Sequence, residues 1–250
     1  MAAEDFRALA GCFTDRAVIT YDPRGAGRST LASDGDVSTE SHADDLHRVV
    51  EAAGLGPVDA FASSGGAQNS LEWVTRHPED VRTVVAHEPP LTALLEDRDT
   101  AMKVSADIVD TYQRSGYGPA MAKFIQLVMQ TGPLPDDYLD RPAPDPATFG
   151  LPTEDDGSRD DLLLSKNLAM PLYEPDADAL RTSSVRIVPA VGTTSAGQLA
   201  HRGGLALAEL LGVGPVVFPG DHGPFVVNEF AHAPDPEGFA KRLREVLAGE

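Results

Sequence analysis

The sequence predicts an α/β fold, a mostly parallel sheet flanked by helices. Three observations predict it. Short β-branched runs alternate with longer stretches of helical periodicity. Each run stops at Pro, Gly or a polar turn. The chain has 250 residues, 42% of them hydrophobic, enough to bury the core that such a sheet requires.

The elements follow in order. Ala17–Asp22 reads Ala-Val-Ile-Thr-Tyr-Asp and ends at Pro23, Arg24 and Gly25, which predicts a first strand. Ser38 and Thr39 are N-cap candidates for a helix in which Ala43, Leu46, Val49, Val50 and Ala53 recur at helical spacing until Gly54. Val58–Ala62 is a second strand, Gly66–His77 a helix, and Val81–His87 a third strand closed by Pro89 and Pro90. Val185–Val191 and Val216–Phe218 are the fourth and fifth. The last helix has Asp235 as cap and Pro236 at its first position, with Phe239, Leu243, Val246 and Leu247 on one face.

Residues 91–182 have a different character and are read as an inserted, mostly helical lid on a core formed by residues 1–90 and 183–250. Met121, Phe124, Ile125, Val128 and Met129 follow an amphipathic helical pattern, and Val104, Ile108, Val109 and Tyr112 predict a helix before it. The Pro- and Asp-rich stretch 133–161 can continue neither a helix nor a sheet, so it is expected to be a loop or partly mobile segment.

Charge and cysteine content narrow the function classes. With 39 acidic and 20 basic side chains the net charge is −19, which repels phosphate backbones and argues against nucleic acid and anionic membrane as partners. Cys12 is the single cysteine, so no internal disulfide can form. Residues 1–16 lack a signal-peptide pattern, and no apolar run reaches the length of a membrane span. The expectation is a cytoplasmic enzyme or binding domain acting on a small molecule.

The turn after the second strand is the first candidate site. Ala62-Ser63-Ser64-Gly65-Gly66 joins strand to helix, and a nucleophile elbow needs small residues two positions either side of its central residue. Ala62 and Gly66 flank Ser64, whereas a central Ser63 would set Phe61 in a crowded position. Ser64 is therefore the candidate nucleophile, with the Gly65 N–H at the helix start as an oxyanion donor. The competing reading is an ordinary glycine-rich turn. The candidate base is His222, in the loop Gly220-Asp221-His222-Gly223 beyond the fifth strand, because parallel strands gather such loops on one edge. His42, His47, His77, His201 and His232 read as exposed or structural, and His87 stands at a strand end beside an acid.

Four segments together resemble the α/β-hydrolases. Tyr21-Asp22-Pro23-Arg24-Gly25-Ala26-Gly27-Arg28-Ser29 is similar to that family's strand-4 turn, and Ala62–Gly66 to its elbow. Arg82–Pro90 is similar to its strand 6, and Gly220–Gly223 to its histidine loop. The resemblance covers residues 5–90 and 183–247, places the lid between strands 6 and 7, and pairs Ser64 with His222. It also implies that strands 1–3 of the family pattern, with the loop supplying a second oxyanion donor, do not precede residues 1–16. Ala17–Asp22 is then expected either to follow upstream strands or to pair beside Val58–Ala62.

The third member departs from the pattern. The family's usual acid lies three residues beyond a glycine after strand 7, but here Gly192 is followed at that place by Ser195. Some members carry the acid after strand 6, where this chain has Glu88. The competing reading of Glu88 is a cap or ion pair of the first lid helix. Asp221 is set aside because neighbours in sequence rarely face each other suitably.

Other chemistries lack their residues. A serine at position 64 excludes the carboxylate nucleophile of dehalogenases and epoxide hydrolases in this fold. Gly25-Ala26-Gly27 lacks the rest of a dinucleotide fingerprint, and no phosphate-binding Walker sequence occurs. His42 and His47, five apart, do not share a helix face as metal ligands do, so no metal site and no cofactor is expected. The expected activity is a serine hydrolase cleaving a small ester-like substrate, with Met121, Phe124, Ile125 and Met129 as candidates either to line its pocket or to pack the lid. The alternative is a hydrolase-like small-ligand binder with impaired catalysis.

Overall fold

A computed structural model describes residues 1–31, 35, 37–227 and 233–249; His232 lies outside them. Four parallel strands form a sheet in the order β1 (Val58–Ser63), β2 (Val81–His87), β3 (Arg186–Gly192) and β4 (Val216–Phe218). The register sets Ser63 beside His87, His87 beside Ala190, and Gly192 beside Phe218, so all four strands release their chains at one carboxyl edge. The helices are α1 (Arg7–Gly11), α2 (Thr39–Ala53), α3 (Gly65–Arg76), α4 (Arg98–Ser115), α5 (Tyr117–Met129), α6 (Leu162–Ser165), α7 (Ala177–Thr182), α8 (Leu199–Leu211) and α9 (Pro236–Ala248).

Local signals placed many of these boundaries. The Ser38 side chain accepts the Ser41 N–H and begins α2, and Gly54 ends it. Asp235 accepts the Gly238 N–H at 2.9 Å, with Pro236 at the first helical position of α9. The expected strand at Ala17–Asp22 does not form. A strand exists through the partner that takes its N–H and C=O groups, and β1 pairs only with β2 among the described residues. Val18 and Ile19 are accordingly exposed, at 45% and 40%. Asp22 instead organises the turn that follows, accepting the Arg28 guanidinium at 2.9 Å while Ser29 Oγ donates to its carbonyl at 2.7 Å.

The chain divides into two compact units. The first comprises Met1–Pro90, Pro175–Ala196 and Ala200–Glu250. Alternation along β2 splits its core between two faces. Val85 joins Phe218, Phe225, Phe239, Leu243, Leu9 and Phe13 in one cluster, while the buried Val84 points to the opposite face of the sheet.

The second unit comprises Leu91–Glu174 and Gly197–Leu199, so residues 175–182, assigned to the insertion from sequence, fall in the first. In the second unit α4 and α5 bury Val104, Ile108, Tyr112, Ala120 and Leu127 together with Leu134, Tyr138 and Leu164. The stretch 133–161 is a loop with short 3-10 turns, and it is packed. A Cβ on Gly118 would lie 1.7 Å from the Pro152 carbonyl oxygen, so α5 accepts the loop only through a glycine. The Leu134 N–H reaches the buried Asp97 carboxylate at 2.7 Å. No helix among the described residues is long and apolar enough to cross a membrane.

Candidate active site

Ser63 and Ser64 are adjacent but have different surroundings. Ser63 ends β1, is buried, and its Oγ lies 3.3 Å from His87 Nδ1. Ser64 leaves the sheet at φ 57°, ψ −134°, and α3 starts at the next residue. Its N–H is held by the His87 carbonyl at 3.0 Å, and its own carbonyl accepts Ala67 N–H at 2.9 Å. Gly65 therefore stands in the first turn of α3, where N–H groups lack intrahelical partners. The crowding that would demand a small residue at Gly66 is not present. A Cβ there would meet nothing within 4 Å, because β1 has no strand on its outer side among the described residues.

Glu88 begins the turn after β2 at φ 48°. Ser64, Glu88 and Ala233 are the non-glycine residues with positive φ among those described, and two of them lie at this edge. Such a conformation costs about 1–3 kcal/mol, so surrounding contacts must hold it. For Glu88 one of those contacts is the Ala190 carbonyl, which accepts its N–H at 2.9 Å.

The Glu88 side chain is fully buried and both of its oxygens are engaged. Oε2 lies 2.7 Å from His222 Nδ1. Oε1 accepts the Gly192 N–H at 2.9 Å and the Ser195 hydroxyl. Burial alone would raise this carboxyl. The His222 hydrogen bond, the neighbouring His87 and the Ser195 and Gly192 donors outweigh it and bring the pKa down to about 2. The acid is thus an ionised carboxylate in a dry setting. It caps no helix, contrary to the competing sequence reading.

Gly192 makes this arrangement possible. A Cβ on it would lie 2.6 Å from the Gly220 carbonyl oxygen, 2.7 Å from that of Asp221 and 2.8 Å from Ser195 Oγ. The histidine loop therefore packs directly on the end of β3, fastened by Thr193 N–H to Phe218 O and Thr194 N–H to Gly220 O, each 3.0 Å. Asp221 is used locally, accepting Gly223 N–H at 2.9 Å. His222, with a side chain 37% exposed, lies above its buried acid.

In the sequence, His87 stands at a strand end beside an acid. It is fully buried, with its ring 5.4 Å from Phe239 and 6.0 Å from Phe218. Burial pushes its pKa down to about 4, so the imidazole beneath the turn is neutral near pH 7. Its last-of-strand position in an apolar run was the only signal available in sequence.

The structure thus joins Glu88, His222, Gly192 and Ser195, and sets Ser64 one residue past the Ser63–His87 pair. Ser64 Oγ makes no hydrogen bond to His222. Of the apolar candidates, Met121 and Phe124 pack against the second unit's own cluster, Ile125 is half-buried and Met129 is 61% exposed.

Comparison with known proteins agrees with this architecture. A family profile described as the alpha/beta hydrolase fold matches residues 4–167, more than half of the chain. The protein therefore belongs to the α/β-hydrolase family. It is similar to the uncharacterised hydrolase YraK of Bacillus subtilis (strain 168), 29% identical over 238 residues, 93% of this chain and 79% of that protein. Its fold is similar to that of a thermophilic esterase from Thermogutta terrifontis, with a TM-score of 0.69 and 18% identity over all of this chain and 86% of the other. A lipase-esterase related protein from Clostridium acetobutylicum ATCC 824 gives a TM-score of 0.63 and 14% identity, covering 98% and 89%.

Proposed function

We propose that the protein is a serine hydrolase that cleaves a small ester-like substrate through an acyl-enzyme on Ser64. The observation that carries this reading is the division of labour at Glu88, one oxygen on His222 Nδ1 and the other on Gly192 N–H and Ser195 Oγ. An ionised, buried carboxylate beside Nδ1 keeps the proton on that nitrogen and leaves Nε2 as the basic one. His222 Nε2 then takes the proton of Ser64 as its Oγ attacks the carbonyl carbon. The Gly65 N–H receives the developing oxyanion, and Glu88 stabilises the imidazolium that forms. Collapse of the tetrahedral intermediate expels the alcohol, protonated by His222. Water activated by the same imidazole releases the acid. Hydrogen bonds of this kind are often open before substrate binds and tighten in the reacting complex, which fits the missing Ser64–His222 bond. No cofactor enters these steps, and the lone, half-buried Cys12 suits a reducing compartment such as the cytoplasm.

The test is covalent labelling with a fluorophosphonate, read by peptide mass spectrometry alongside hydrolysis of p-nitrophenyl esters. Labelling is expected on Ser64 and is expected to vanish, with turnover, in Ser64→Ala. Labelling that persists in that variant would move the nucleophile elsewhere.

A further inference from the structure

A second group of histidines and carboxylates lies on the first unit, away from Ser64. His47 is on α2, three residues after Asp44; His77 ends α3, and Glu79 and Asp80 lie in the short turn Pro78–Asp80. One donor atom each from His47, His77 and Glu79 falls within a span of 4.8 Å. The two imidazoles are stacked, with centroids 4.2 Å apart and planes 11° from parallel.

The partners of these rings set their chemistry. His47 Nδ1 lies 2.8 Å from Asp80 Oδ2, and His77 Nε2 lies 3.2 Å from Asp44 Oδ1. Each ring has one nitrogen on a carboxylate; in the tautomer with that nitrogen protonated, the other, Nε2 on His47 and Nδ1 on His77, carries the lone pair. His77 Nδ1 is also the nitrogen that faces Glu79, 3.9 Å from its Oε1. An imidazole tied through its second nitrogen to a carboxylate is the usual support of a metal-bound histidine, because it fixes the tautomer and strengthens the donor. The supports are themselves anchored: Asp80 also accepts Trp73 Nε1–H at 2.9 Å, and Asp44 pairs with Arg76 at 3.1 Å. Access is open, with side-chain exposures of 34%, 21% and 67% for His47, His77 and Glu79.

We infer that His47, His77 and Glu79 form a binding site for a divalent transition-metal ion of the zinc class. Two imidazoles and one carboxylate suit such an ion rather than calcium or magnesium, which take oxygen ligands. Tetrahedral binding at the usual metal–nitrogen length of about 2.0–2.1 Å needs donors roughly 3.3 Å apart. Near-parallel ring planes with centroids 4.2 Å apart cannot both contain one ion, so one imidazole must turn well out of the stack, together with its carboxylate partner, and the exposed Glu79 must swing inward. Water completes the coordination. A helix of twelve residues is about 18 Å long, so an ion at the end of α3 is remote from Ser64 at its start. Its effect is to clip α2 to the end of α3, independently of the proposed hydrolysis. The sequence offered no such cluster, because His47 and His77 are thirty positions apart and meet only through the packing of α2 on α3.

The experiment titrates chelator-treated full-length protein with Zn²⁺ by calorimetry and with Co²⁺ by visible absorption, and follows the thermal midpoint. One ion per chain, a raised midpoint and a nitrogen-rich Co²⁺ spectrum are expected. Glu79→Gln, at an exposed position, should keep the metal-free midpoint, and it and His47→Gln should each weaken Zn²⁺ binding at least about tenfold. The inference is overturned by an absence of saturable binding below roughly a hundred micromolar. It is equally overturned by equal affinity in wild type and both variants, or by binding that disappears only in His222→Gln.

Discussion

Two histidine–carboxylate pairs in this protein have nearly the same contact and different surroundings. His222 Nδ1 meets Glu88 at 2.7 Å, and His47 Nδ1 meets Asp80 at 2.8 Å. Glu88 is fully buried on the edge of the sheet, in a left-handed backbone conformation, with its second oxygen held by two further donors. Asp80, also buried, lies in the short turn Pro78–Asp80 and shares one oxygen between His47 and Trp73. The first pair is a strained, desolvated arrangement whose single solvent-facing partner is the imidazole. The second is a brace between helices that keeps a ring nitrogen available outside. The contact distance does not distinguish these uses; the backbone conformation of the acid and its remaining partners do.

The largest break in the comparison is Glu88→Gln. It keeps the shape but removes the charge beside His222, and kcat for a p-nitrophenyl ester is expected to fall by about 10⁴-fold. The same carboxylate gives a pH signature. Its pKa is lowered from 4.5 to about 2 in the folded protein, so its contribution to stability is complete above about pH 4.5 and is lost as the pH falls through about 2. Acid unfolding followed by circular dichroism should show that component in wild type and not in Glu88→Gln. Equal acid profiles would mean that the folded state does not hold this group ionised.

Gly192→Ala comes next. Its methyl group would press on the Gly220 and Asp221 carbonyls and shift the histidine loop, and a displacement of about 1 Å can cost on the order of 10²-fold in rate. Ser195→Ala is smaller. A hydrogen bond to a charged group contributes roughly 1.5–3 kcal/mol, so kcat should fall on the order of tenfold. The acid-unfolding midpoint should move upward, since one of the donors that lower the Glu88 pKa is gone. An unchanged midpoint would remove Ser195 from the account. Asp80→Asn sharpens the other side. It should leave kcat unchanged while lowering stability by about 1–3 kcal/mol, measured by urea unfolding, because the Trp73 and His47 contacts lose their charged acceptor.

How much of this was legible in the sequence depended on the range of the interaction. Ser38, Gly54, Asp235 and Pro236 act within a few residues, and the helices they bound formed where expected. The β-branched runs at 58–62, 81–87, 185–191 and 216–218 became the strands 58–63, 81–87, 186–192 and 216–218 because each has neighbours to pair with. Ala17–Asp22 carried the same local signal but has no strand partner among the described residues. Ser195 illustrates the limit for the site: from spacing it marked an acid that was missing, whereas in space its hydroxyl donates to the acid supplied by Glu88.

The sequence by itself determined the class of fold, the capped helices, and the two loops that carry Ser64 and His222, since periodicity, turn chemistry and capping are encoded by residues close in the chain. Only the tertiary structure decided that Glu88 is an ionised acid shared by His222, Ser195 and Gly192, that His87 is a neutral ring beneath the turn, and that His47 stacks on His77. Those outcomes rest on burial and on partners 30 to 152 positions away in the chain, which no local pattern records.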